Sequence, residues 1–172
     1  EVFTTVILKL LEQIGLLWQT ETISIVHEHF ISNLIKQQIL LQTAHLEPVP
    51  GNAEQSYVLF LPEEEIHDLG LLFINYYLSA KGKFTIYLGD SVPIGDLETI
   101  QKLFTNIQFV SYFTVSPQLE KLDTYLDKIQ ETVLREGMDV LHVLGRNVMD
   151  YKVTKDTVKT YGSLLEFIQE MD

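Results

Sequence analysis

Cysteine is absent from the 172 residues. That excludes disulfides, thiolate metal sites and a cysteine nucleophile, and it points to the cytoplasm. Basic residues are few: 12 stand against 24 acids, for a formal charge of −12. Such a surface repels phosphate backbones, so this stretch is not expected to grip nucleic acid itself. No apolar run reaches the roughly 18 residues of a membrane span. The start, EVFTTVILKLLEQIG, has an acid and no basic region ahead of its apolar residues, so no signal peptide is expected. It also lacks an initiator Met, which makes a longer parent protein the expectation. A Walker-type loop and a G-x-G-x-x-G are both missing, and no spacing proposes a hydrolytic triad.

What is present divides in two. From Val2 to Trp18 apolar residues recur at Val6, Ile7, Leu10, Leu11, Ile14 and Leu17, a helical spacing. Thr22 or Ser24 can cap a second helix running to about Thr43. The following LEPVPGNAEQS reads as a loop, and a boundary near residue 52 separates a helical part, 1–52, from the rest, 53–172. Strands and helices then alternate. Strands are expected at Tyr57–Leu61, Phe84–Leu88, Ile107–Phe113 and Val140–Leu144, with a short edge strand at Val158–Tyr161. Helices are expected at His67–Ala80, Pro93–Phe104, Pro117–Arg135 and Leu164–Met171, while 146–156 is ambiguous. This alternation predicts an α/β fold with a parallel sheet of about five strands covered on both faces.

The connection PEEEIHDLG, between the first of these strands and its helix, holds the most unusual composition. A strand-to-helix turn needs a turn residue and a cap, not a histidine among acids. In an open parallel sheet, ligands sit beyond the carboxyl ends of the strands, where this loop falls. The imidazole of His67 can offer a lone pair to a metal, and Glu65 can fix its other nitrogen. Gly70 would allow close approach of a bulky group. The plainer alternative is a surface histidine beside glutamates that favour the positive end of a helix dipole. His45 and His142 stand alone, and His142, between Leu141 and Val143, reads as a satisfied strand residue. Leu88-Gly89-Asp90 and Gly95-Asp96 read as turn residues.

Glu65-x-His67-x-x-Gly70 resembles the D/E-x-H-x-x-G motif of cobalamin-binding domains. Trp18, followed after nine residues by Glu28-His29, resembles the helical-cap signature of light-responsive regulators of the mercury-resistance-regulator (MerR) family. The resemblance covers essentially the whole chain. It implies a helical bundle followed by a Rossmann-like, flavodoxin-type cobalamin domain, with adenosylcobalamin as cofactor. It implies cobalt ligated by His67, with Glu65 behind it, and Trp18, Glu28 and His29 over the adenosyl face. It implies Ser111 and Gly145 beside the nucleotide tail. It further implies a non-enzymatic sensor that forms homo-oligomers, is not membrane-bound, and contacts DNA only through an N-terminal helix-turn-helix segment outside this chain.

The sequence departs from that pattern at three places. The family's S-x-L becomes Ser111-Tyr112-Phe113. Its glycine pair becomes Gly145-Arg146, which puts the tail pocket in question. The histidine that follows the tryptophan in the best-known members is Gln19, so a bis-histidine photoproduct through that position is not available. Two other readings therefore stay open: a corrinoid methyl carrier for a methyltransferase, and an interaction domain that has lost the cofactor.

Overall fold

A computed structural model describes residues 24–51, 54–149, 151–153 and 155–172. The chain divides into two units, Glu1–Leu46 and Glu47–Asp172. The division falls at the start of the proline-containing loop rather than at its far end near residue 52. In the first unit the helix α1, Ile25–Ala44, follows Ser24, one of the two expected caps. The expected helix from Val2 to Trp18 lies outside the described residues, and of the expected bundle α1 is the part described.

The second unit is a five-stranded sheet in the order β2-β1-β3-β4-β5, every pairing parallel. Its strands are β1, Ser56–Pro62, β2, Phe84–Val92, β3, Ile107–Tyr112, β4, Val140–Leu144, and β5, Val158–Tyr161. Between them lie α2, Leu69–Ala80, α3, Ile94–Gln101, and α4, Leu122–Thr132, and α5, Leu164–Met171, closes the order. β1 reads SYVLFLP and is buried at every residue, as a central strand covered on both faces must be. Alternation sends Val58, Phe60, Phe109, Leu141 and Val143 to one face, with Leu97 of α3 and Leu122, Leu126 and Ile129 of α4. Their neighbours point the other way, where His142 meets Phe167 of α5 and Tyr112 meets Gly70 of α2.

Two helices begin later than the periodicity predicts. α2 starts at Leu69 rather than His67, because the His67 amide donates to Glu65 Oε1 at 3.0 Å. α4 starts at Leu122 after a short 3-10 turn, Leu119–Lys121; the preceding amides of Thr114, Val115 and Ser116 are likewise turned onto Glu65. β2 runs on to Val92, so Gly89 and Asp90 lie in a strand rather than a turn. Its register against β1 slips after Leu59 and again after Phe60. At the opposite end of the sheet, buried Asp139 accepts from the Ile107 amide at 2.9 Å and from Arg135 Nε at 2.7 Å. Arg135 also donates to the carbonyls of Gln101 and Phe104, which ties the α3–β3 and α4–β4 connections together away from the ligand edge.

His142 is buried, with Nε2 2.8 Å from Gln108 Oε1 and Nδ1 2.7 Å from the Tyr161 hydroxyl. A neutral ring satisfies both: Nε2–H donates to the amide oxygen and Nδ1 accepts from the phenol. Burial, with a smaller contribution from Lys159, pushes its pKa down to about 4 from 6.5. The unfolded chain therefore binds the extra proton first as pH falls. Stability is expected to be full above about pH 6.5 and to drop by roughly 3 kcal/mol as pH falls to about 4. Urea unfolding at pH 7, 5.5 and 4 should show this drop in the wild type and a flatter profile in His142→Gln. Parallel profiles would sink the assignment.

Candidate functional site

The strand order changes direction between β1 and β3, and the loops after these two strands flank that crevice. The β1 loop turns immediately. Glu65 N donates back to Pro62 O at 3.1 Å, and Glu64 takes a positive φ of 67°. The Glu64 amide reaches Ser91 Oγ at 3.2 Å. The turn drives the Glu65 side chain inward, where it is fully buried.

Its carboxylate joins the two loops. Oε2 accepts from the consecutive amides of Thr114, Val115 and Ser116 at 3.0, 2.6 and 2.9 Å, an anion-binding concavity of backbone N–H groups. Oε1 accepts from the amides of Ile66 and His67, each at 3.0 Å, and lies 2.6 Å from His67 Nδ1. Burial works to raise the Glu65 pKa. The amides of Val115, Ser116 and His67, with the imidazole, outweigh it and bring the value down to about 2. An ionised carboxylate is acceptor-only, so Nδ1 must carry the hydrogen. Nε2 is then the lone-pair nitrogen of the neutral ring, on a side chain 54% exposed. A carboxylate–histidine pair of this kind is how proteins orient an imidazole that ligates a metal. The expected pairing of Glu65 with His67 is thus present geometrically, and the donor set suits cobalt in a corrin ring.

The other expected positions behave differently. A Cβ on Gly70 would lie 2.8 to 3.1 Å from three atoms of the Tyr112 ring, so the room that glycine leaves is taken by this aromatic. Ser111 is fully buried, and its hydroxyl donates to Phe60 O at 2.8 Å. Gly145 adopts φ 108° and ψ 171°, where the Phe113 backbone crosses so closely that a Cβ would lie 2.8 Å from its carbon and nitrogen. Phe113 N donates to Leu144 O at 2.7 Å and Asn147 N to Phe113 O at 3.2 Å, locking that crossing. Arg146 is exposed. The ring-ligating part of a cobalamin site fits these residues; the part that would house the nucleotide tail does not.

Glu28 and His29 lie in the first turns of α1 and bond to each other. Glu28 Oε2 is 2.6 Å from His29 Nδ1, and Oε1 accepts from Ser32 Oγ at 2.6 Å. Trp18 and Gln19 lie outside the described residues.

Residue typing did not single out Tyr112, the amides 114–116, or the apolar residues at this edge. Ile66 beside His67, Val115 and Leu119 after β3 and Met149 after β4 are all largely exposed. They come from the connections after β1, β3 and β4, at one edge of the sheet. Strand alternation alone could have flagged Tyr112, since it places that ring on the α2 face.

Fold and site together define a flavodoxin-like α/β unit with a carboxylate-backed histidine at its switch point. Comparison with known proteins agrees. Residues 1–39 match the sequence model of the B12 binding domain family. The HTH-type transcriptional repressor CarH of Myxococcus xanthus is 29% identical over 134 residues, 77% of this chain. The chain spans 44% of that relative's length. Among solved structures, the monomethylamine corrinoid protein of Methanosarcina barkeri superposes with a TM-score of 0.74 at 17% identity. That superposition covers 94% of this chain and 76% of the other, and at that identity it establishes the fold. The chain is therefore similar to B12-binding domains in sequence and in architecture. Among the described residues no helix is long and apolar enough to cross a membrane.

Proposed function

We propose that this chain is the cobalamin-binding sensory part of a transcriptional regulator, with adenosylcobalamin as its resident form and light as its signal. The observation that carries the reading is the buried Glu65 carboxylate holding His67 with Nε2 as the free lone pair. When bound, the cofactor supplies a photolabile cobalt–carbon bond. The chain's own part is to hold cobalt through His67 and to cover the adenosyl group with Trp18, Glu28 and His29. Loss of that group changes which state of the chain is favoured, and with it homo-oligomerisation and DNA binding by a segment outside this chain. With Gln19 in place of histidine, the response rests on loss of the adenosyl contact rather than on a second histidine ligand. Sequence similarity to a transcriptional repressor supports the regulator assignment.

A second reading is a corrinoid carrier for a methyltransferase, favoured by the fold shared with the monomethylamine corrinoid protein. The Trp18 and Glu28-His29 spacing weighs against it, because a methyl carrier has no adenosyl group to cover.

The test is to load the chain with adenosylcobalamin in the dark, remove the excess, and record the visible spectrum and elution volume before and after illumination. Wild type should keep a base-off spectrum and change size in light. His67→Ala should bind at least about 100-fold more weakly, since loss of a supporting outer contact alone costs 10–100-fold. Retention without any response to light would favour the carrier. Equal retention by His67→Ala would remove His67 as the ligand.

A further inference from the structure

We infer that this chain seats a corrin ring over His67 while leaving the ring's nucleotide side chain outside the fold. Cobinamide, the corrinoid without that nucleotide, should then bind at least as well as complete cobalamin. The inference rests on the cobalamin reading above and narrows it to a ligand class.

The end of β3 decides the matter. Tyr112 and Phe113 are consecutive, so they leave the chain on opposite faces of the sheet. The Tyr112 ring covers Gly70 at the start of α2. Phe113 is fully buried on the other face, edge-on to Tyr125 with centroids 5.5 Å apart and planes at 90°. Each side of the strand end is therefore filled by an aromatic ring of the protein. The two groups expected beside the nucleotide tail, Ser111 and Gly145, are already engaged. The Ser111 hydroxyl is committed to Phe60 O, and the space beside Gly145 is taken by the Phe113 backbone. Close-packed interiors do not open for a nucleotide without displacing such groups.

A chemical consequence follows. Complete cobalamin carries its own benzimidazole, which competes with His67 for the lower face of cobalt. A domain that buries the displaced nucleotide offsets that competition with new contacts. The described residues at the end of β3 offer no such burial, so the corrinoid lacking the competing base has the advantage. The carboxylate-backed His67 requires only the ring.

The experiment is a parallel absorbance titration of the whole chain with aquocobinamide and hydroxocobalamin in the dark. Wild type should bind cobinamide with a Kd equal to or below that for cobalamin. Tyr112→Ala, which clears the space over Gly70, should move the ratio toward cobalamin by at least tenfold, while Tyr112→Phe should keep the wild-type ratio. A wild type that prefers cobalamin overturns the inference and leaves the histidine site standing. So does a folded Tyr112→Ala whose ratio moves less than twofold. If Tyr112→Ala fails to fold, the wild-type ratio decides alone. Binding of neither corrinoid overturns the cobalamin reading itself, and this inference with it.

Discussion

Glu65→Ala is expected to lower the unfolding free energy by about 4 kcal/mol. The substitution strips the acceptor from the amides of Thr114, Val115 and Ser116 and from those of Ile66 and His67. A buried donor left unpaired costs about 1–3 kcal/mol, though such losses do not add fully. The pH linkage gives a comparable size. A carboxylate held at about 2 against an ordinary 4.5 contributes roughly 3 kcal/mol above about pH 4.5, lost as pH falls toward 2. Glu65→Gln should be milder, near 2 kcal/mol, because one amide oxygen survives while the NH₂ faces donors. It should also slacken His67, so corrinoid binding weakens even where the protein stays folded. Urea midpoints at pH 7 for the three proteins give the test. A loss below 1 kcal/mol for Glu65→Ala would show that the loop amides find other partners.

Gly145→Ala is expected to be more severe and to leave little folded protein at 37 °C. The position combines φ 108°, open to glycine and rarely to an L residue, with a backbone crossing that a methyl group cannot share. The strained conformation alone costs about 1–3 kcal/mol. Displacement of Phe113 would further disturb the core formed with Val143 and Val148. Together these approach the total of about 5–15 kcal/mol that holds a domain of this size. Soluble yield and thermal midpoint measure it. As a control, Gly95→Ala has open space around the added carbon and should fold normally. A Gly145→Ala protein with an unchanged midpoint would mean the crossing relaxes freely.

Much of the fold was legible because each strand is a short apolar run between turn residues. β4 and α5 lie on the expected residues, and the weak pattern at Val158–Tyr161 is a real edge strand. Helix starts were less legible: the His67 amide, which periodicity assigns to α2, is spent on the Glu65 carboxylate, and a 3-10 turn precedes α4. Nothing local in the sequence connects Glu65 to residues 114–116; only the parallel pairing of β1 with β3 brings them together. The Glu65–His67 pair itself could be read from the spacing of two residues. The roles of Gly70 and Gly145 could not, because what fills the space beside them comes from Tyr112 and Phe113 in another part of the chain.

The two rims of the sheet carry a consequence for assembly. β5 is only four residues long, and Lys159 on it is exposed and paired with Glu170 at 2.6 Å. At the other rim β2 slips register twice and bends through Gly89 and Ser91, both at positive φ. Short, charged or bulged margins discourage a further strand from joining. Copies of this unit are thus poor templates for one another's sheets, and contact between them is steered to helices and loops, away from the route that leads to fibres.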